Sequence, residues 1–224
     1  MPQLNLEIVN NLPVVRHDKH VILVGTGSPT TIHETNRLSF LGMDYPVQTQ
    51  YAGANLPALR NQTGIPNLTT LLGMDVLSGY KVVFDYAGLR MVFDSEPVDF
   101  DGSVLPLELI QGIPVLLVEC QGRNIKMFLE SGAKLSYIAP GFSNGLPPQG
   151  VVQDYYPGLG AFETQTYHLD LHTGGVQFQL RCGNLPAQLR GLLDNTGVQG
   201  IIGSDFFHRF KACLDASNRL LYVS

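Results

Sequence analysis

The chain has 224 residues, 44% of them hydrophobic and 15% charged, enough to bury one large core or two small ones. Its formal net charge is -5 and its 14 Lys and Arg are scattered, which offers no basic field to nucleic acid or anionic lipid, so neither is expected as a partner. The opening MPQLNLEIVNN has no basic region ahead of an apolar core, and no apolar run approaches the ~18 residues of a membrane span; no signal peptide is read, and a cytoplasmic location is expected.

Short segments rich in Val, Ile, Leu, Phe and Tyr are separated by Gly, Pro and Asn, and no long 3.6-residue periodicity appears, so the expected class is all-β. In chain order, 21–28 reads VILVGTGS, a strand running into a glycine-rich turn. Helices are expected only as short pieces, at 75–80, 185–194 and 205–210. Between the last two and the middle of the chain, Tyr167, Leu169 and Leu171, the turn Thr173-Gly174-Gly175, then Val176, Phe178 and Leu180 read as a β-hairpin. Cys120, Cys182 and Cys213 are odd in number and without C-x-x-C spacing, so buried free thiols are expected, with no disulfide framework, metal or cofactor.

The chain is also similar to itself. Leu4-Asn5-Leu6-Glu7-Ile8-Val9 recurs as Leu105-Pro106-Leu107-Glu108-Leu109-Ile110, and VILVGTGS recurs as Lys126-Met127-Phe128-Leu129-Glu130-Ser131-Gly132-Ala133. Val47-Gln48-Thr49-Gln50 with Asn55-Leu56-Pro57 matches Val176-Gln177-Phe178-Gln179 with Asn184-Leu185-Pro186. Leu71-Leu72-Gly73-Met74-Asp75 and Asp85 match Ile201-Ile202-Gly203-Ser204-Asp205 and Asp215. Matched blocks in one order indicate two copies of one unit: a first half at 1–97, a linker at 98–104, and a second half at 105–224. The offset between matched blocks grows along the chain, which places an extra segment in the second copy; the hairpin at about 160–182 belongs to it, and the first half is expected to keep only the returning strand and to lack a full flap.

A hydrophobic strand entering Asp-Thr-Gly or Asp-Ser-Gly, a flap hairpin, then two apolar residues and Gly before a short helix is the layout of retropepsin-like aspartic proteases. The chain resembles that family twice over, as the two lobes of pepsin-like enzymes do. The resemblance implies an acid-protease β-barrel of the double-ψ type, with two pseudo-two-fold related halves and a few short helices. It implies that Thr26 and Ser131 lock the two loops across the axis beside Gly27 and Gly132, and that a single chain needs no dimer, so a monomer is expected. It also implies a cleft that binds an extended peptide or protein segment under the second-copy hairpin, at His168, Asp170, His172, Gly174 and Gly175.

The departure is at the dyad, where the family places two Asp carboxylates that share a proton and hold the attacking water. Here those positions are Gly25 and Glu130. Several readings stay open: a pseudo-protease that keeps the cleft without hydrolysis; a hydrolase in which Glu130 acts as general base with another polar partner; or a glycine introduced at position 25, which leaves Glu130 unexplained. Because Gly25 empties a volume at the axis, the longer Glu130 is expected to reach toward the opposite loop, bonded to its amides and ionised.

Other polar residues have plainer readings. His168, Asp170 and His172 alternate on one strand face, which reads as a solvated surface more readily than a metal site. Asp75 and Asp205 are expected to cap short helices, Asp85 and Asp215 to open turns, and Ser28 to pack as a small residue beside the loop with no base near it.

Overall fold

A computed structural model describes residues 2–96, 100–156 and 159–224. The first half runs β1 (Gln3–Val9), β2 (Leu12–His17), β3 (His20–Val24), β4 (Ile32–His33), β5 (Arg37–Phe40), β6 (Met43–Pro46), β7 (Gln50–Tyr51), β8 (Ala54–Asn55), α1 (Leu56–Thr63), β9 (Thr70–Leu72), α2 (Met74–Leu77), β10 (Lys81–Asp85) and β11 (Arg90–Asp94). The second runs β12 (Ser103–Ile110), β13 (Ile113–Cys120), β14 (Arg123–Leu129), β15 (Ser136–Ile138), a 3-10 turn (Pro140–Phe142), β16 (Val151–Tyr156), β17 (Gly160–Thr173), β18 (Val176–Asn184), α3 (Ala187–Asp194), β19 (Val198–Ile202), α4 (Ser204–Arg209), β20 (Ala212–Asp215) and β21 (Leu220–Val223).

Local sequence explains much of this. β3, HVILV, is buried at every position, as a strand covered on both faces requires, whereas β17 alternates solvent-facing His168 and Asp170 with buried Leu169 and Leu171. Asn10 and Asn11 at φ 50 and 67 turn β1 into β2, and Gln111 and Gly112 at φ 53 and 81 turn β12 into β13, the two left-handed residues that tight hairpins demand. α1 was not expected from periodicity. Its signals are Asn55, whose side chain accepts from the Ala58 amide, Pro57 in its first turn, and Gly64 at φ 70 beyond its end.

Each half contains a strand inserted between two others. β9 lies parallel to β3 and antiparallel to β4; β19 lies parallel to β14 and antiparallel to β15. In the second half the pairings β13–β14, β14–β19, β19–β15, β15–β18, β18–β17 and β17–β13 close a barrel. The first half has no comparable closure among the described residues; its β5–β6 and β7–β8 hairpins stand apart.

The halves are joined by one six-stranded antiparallel sheet in the order β1, β11, β10, β20, β21, β12, three strands from each copy. The copies meet at β10 and β20, from Lys81 opposite Asp215 to Phe84 opposite Ala212. A single apolar cluster runs from Leu6 and Val15 through Phe84 and Phe207 to Leu221, so both halves share a core. No helix among the described residues is long and apolar enough to cross a membrane.

Two details depart from the sequence reading. Of the expected linker at 98–104, residues 98–99 lie outside the described residues, and Ser103 and Val104 already pair with β21 as part of β12. The match of Val47–Gln50 to Val176–Gln179 does not hold: the strand that returns from the first-half hairpin is β6, and Gln50 belongs to the small β7–β8 hairpin. A Val-Gln-x-Gln pattern is too degenerate to fix register when insertions are present.

Phe84 is fully buried, with its ring 4.6 Å from that of Phe207, so Phe84→Ala should cost about 3–5 kcal/mol. Urea unfolding followed by tyrosine fluorescence and by circular dichroism should lose both halves in one coincident transition, since the cavity lies in their common core.

Candidate functional site

β3 and β14 end side by side at the pseudo-two-fold axis, and the loops after them, Gly25-Thr26-Gly27-Ser28 and Glu130-Ser131-Gly132-Ala133, mirror one another bond for bond. The Gly25 amide donates to the Leu72 carbonyl at 3.0 Å and the Glu130 amide to that of Ile202 at 2.8 Å. The Ser28 amide closes back on the Gly25 carbonyl at 3.2 Å, and the Ala133 amide on that of Glu130 at 3.2 Å.

Between the loops lies a buried reciprocal lock. The Thr26 hydroxyl donates to the Leu129 carbonyl at 2.7 Å and accepts from the Ser131 amide at 2.9 Å. The Ser131 hydroxyl donates to the Val24 carbonyl at 2.7 Å and accepts from the Thr26 amide at 3.1 Å. Both side chains are fully buried, so each hydroxyl satisfies two backbone groups that water cannot reach.

A second matched pair supports each loop from behind. Asp75 accepts from the Thr31 hydroxyl at 2.6 Å, and Asp205 from the Ser136 hydroxyl at 2.6 Å. Those hydroxyls accept in turn from the amides of Gly73 and Gly203, each at 2.9 Å. The two aspartates therefore do not cap their helices; Gly73 and Gly203 hold the N-cap positions without a side-chain bond. Glycine is required there because a Cβ at Gly73 would stand 2.6 Å from the Thr30 backbone, and one at Gly203 2.8 Å from that of Leu135. Asp85 and Asp215 accept from Gly88 and Asn218 amides in turns, and the Ser28 hydroxyl donates to the Thr30 carbonyl at 2.7 Å.

At the axis itself the symmetry breaks. A Cβ at Gly25 would meet Leu71 Cδ1 at 2.8 Å, so the apolar end of Leu71 occupies the room where a side chain would start. Across the axis Glu130 folds over Gly27: a Cβ there would lie 2.3 Å from both Cγ and Cδ of Glu130 and 2.7 Å from Oε1. The carboxyl thus lies toward the opposite loop. It does not bond to that loop's amides as the sequence reading expected, and its pKa moves the other way, from 4.5 up to about 7, because burial penalises the charge and Asp154 adds a second negative charge nearby.

Glu130 lies at the floor of a cleft of about 300 Å³ between the halves, lined by Gly25, Gly27, Leu71 and Gln62 on one side and by Tyr137 and Asp154 on the other. Asp154 comes from β16, whose antiparallel pairing with the start of β17 makes a hairpin over the second-half side; Tyr155, Tyr156 and Phe162 of this hairpin also face the cleft. The Tyr137 hydroxyl and the Tyr155 amide both donate to the Asp154 carboxylate, the latter at 2.8 Å. Burial and the nearby Glu130 raise Tyr156 to about 12, and burial with Asp154 raises Tyr137 further. From the first half, Tyr51 and Ala52 of the β7–β8 hairpin reach the same space, so this half is not without a cover of its own.

The covering hairpin is therefore not the one read from sequence. The turn at Gly174 and Gly175 points to the far end of the barrel, where a Cβ on Gly174 would lie 2.5 Å from Leu105 Cδ2. His172 pairs with Glu119 of β13, Asp170 accepts from Gln179 at 2.9 Å, and His168 is solvent-exposed; none of these lines the cleft. β17 is fourteen residues long and belongs to two hairpins, one at each end. The missed signal was the Tyr-rich 151–156 run into Pro157-Gly158, a turn dipeptide after a strand.

No protein-family model matches the sequence, and no curated protein matches it. Solved structures do. An aspartic proteinase from Irpex lacteus aligns with 100% of this chain and 96% of its own at 13% identity, with a TM-score of 0.55. A retropepsin-like aspartic protease from Rickettsia conorii aligns with 57% of this chain and 96% of its own at 14% identity, with a TM-score of 0.39. The chain has the all-β fold of the aspartic proteinases, and Gly25 and Glu130 stand where its two loops meet.

Two measurements follow. Thr26→Val keeps the shape of the side chain but orphans the Leu129 carbonyl and the Ser131 amide, each worth about 1–3 kcal/mol when buried without a partner, and should lower the urea midpoint accordingly. Glu130 binds a proton in the folded state that the unfolded chain has already released between pH 4.5 and about 7, so its contribution to stability falls as pH rises through that window. The full loss is about 3 kcal/mol. Denaturation at pH 5 and pH 8 should show a stability difference between wild type and Glu130→Gln that changes by that amount; parallel behaviour would refute the assignment.

Proposed function

We propose that this protein binds an extended peptide or protein segment in the cleft between its halves and does not cleave it by the two-carboxylate route. The observation that carries this reading is the filling of the axis: Leu71 stands against Gly25, and the only acid at the dyad positions is Glu130, folded across Gly27. Two acids sharing a proton around one water are what the fold's chemistry needs, and a lone protonated carboxyl cannot both activate the water and polarise the carbonyl. What remains is a groove flanked by two β-hairpins, β7–β8 and β16–β17, that can offer backbone edges to an extended ligand. The lock between Thr26 and Ser131 is made within one chain, which supports a monomer, and three free buried thiols suit a reducing, cytoplasmic setting.

A second reading is favoured by Asp154, which places another carboxyl in the same cleft as Glu130. In it Glu130 and Asp154 form an unequal acid and base pair within one half, and hydrolysis proceeds without the axis.

One experiment separates the two. Purified protein is incubated with unfolded casein from pH 4 to pH 8, with fragment release followed by mass spectrometry and binding of labelled peptides by fluorescence anisotropy. Binding without release in wild type is the expected result. Turnover that disappears in both Glu130→Gln and Asp154→Asn would establish the second reading, and the absence of any binding would sink the first.

A further inference from the structure

We propose that the segment held in the cleft is anchored by a basic side chain, preferably a guanidinium, received between Glu130 and Gln62; this rests on the segment-binding role above. The inference starts from unmet hydrogen-bond capacity. Gln62 Oε1, on α1 in the first half, is fully buried and accepts no bond, although Gln62 lines the cleft and its Nε2 donates to the Tyr155 carbonyl at 3.3 Å. Buried acceptors are seldom left without a donor, and on a residue that lines a groove the donor can come from what fills it. At the floor, no hydrogen bond among the described residues reaches the Glu130 carboxyl, while its neighbour Asp154 is satisfied by Tyr137 and Tyr155 and adds negative charge. Both groups without a protein donor are thus acceptors, one on the first-half wall and one at the floor.

Lys134 also lines the cleft, and its ammonium donates to the Gln62 backbone carbonyl at 3.1 Å; among the described residues it makes no bond to the Gln62 side chain or to Glu130. A neutral segment would leave Glu130 to take its counter-charge from a proton. A guanidinium brings five donors in a planar fork, enough to address a carboxylate and an amide oxygen together. Tyr137, Tyr155, Tyr156 and Phe162 line the same space, an aromatic surrounding that attracts a guanidinium.

Proton linkage follows. In the empty cleft Glu130 titrates at about 7; a cation beside it favours the ionised form, so binding releases a proton and strengthens as pH rises through 7. The titratable groups facing Glu130 are Lys134, Asp154 and the hydroxyls of Tyr51, Tyr137, Tyr155 and Tyr156, so the assignment to Glu130 is made by substitution.

The test uses fluorescein-labelled peptide mixtures with randomised neutral positions around a central Arg, and matched mixtures with citrulline or norleucine there, titrated into the full chain at pH 6 and pH 8. At pH 8 the Arg mixture should bind at least about tenfold tighter than the citrulline mixture, the step expected when a charge-assisted bond replaces a neutral one. That preference should shrink at pH 6 and be lost in Glu130→Gln, and Gln62→Leu should weaken Arg binding while sparing norleucine. Equal binding of all three mixtures overturns the basic anchor and leaves segment binding standing. Failure of every mixture to bind overturns both. A preference for Arg that survives Glu130→Gln with its pH dependence intact overturns the anchor's placement.

Discussion

Everything in the cleft depends on four hydrogen bonds exchanged by Thr26 and Ser131 across the axis. Each hydroxyl replaces water for a carbonyl of one half and an amide of the other, in a place where an unmet group costs about 1–3 kcal/mol. The arrangement is reciprocal, so neither loop can move without orphaning groups on both. It holds the Gly25 and Glu130 backbones at the floor of the cleft whatever side chains they carry. That is why the scaffold accommodates a glycine at position 25 and a glutamate at position 130.

The lock alone does not hold the halves together. The six-stranded sheet with β10 against β20 at its centre, and the apolar cluster behind it, give the two copies a common core. Asp75 and Asp205, each bonded to a hydroxyl that accepts from a Gly amide, then support both loops from behind in the same way. Symmetry is retained in the two loops and their supporting bonds and is lost at the side chains of positions 25 and 130.

That loss changes the electrostatics. A symmetric pair of acids shares one proton because each raises the other. Here burial raises Glu130 most, and the neighbour that adds to it is Asp154, from the covering hairpin and not from the other half. Both acids that line the cleft among the described residues, Glu130 and Asp154, belong to the second half. The first half contributes Leu71, Gln62 and Tyr51, an apolar and neutral wall.

Much of this was legible in the linear chain. The repeated blocks around VILVGTGS and Leu-Gly or Ile-Gly specified two halves, their order, and the loop residues that meet at the axis, because those positions are constrained by backbone geometry and so keep their residue types. The Asn-Leu-Pro repeat also marked the unforeseen helix α1, though only its second copy was read as one. What the chain could not reveal was which hairpin covers the cleft. β17 serves two hairpins, and local alternation is the same at both ends; only closure of the barrel through β13 sends Gly174 away and brings Asp154, Tyr155 and Tyr156 over Glu130. The direction of the Glu130 pKa was likewise a tertiary decision, since desolvation and a carboxylate twenty-four residues on are set by packing and not by neighbours in sequence. Sequence by itself determined the all-β fold and the residues of the two matched loops, Gly25 and Glu130 among them; tertiary structure decided where the Glu130 carboxyl lies and what surrounds it.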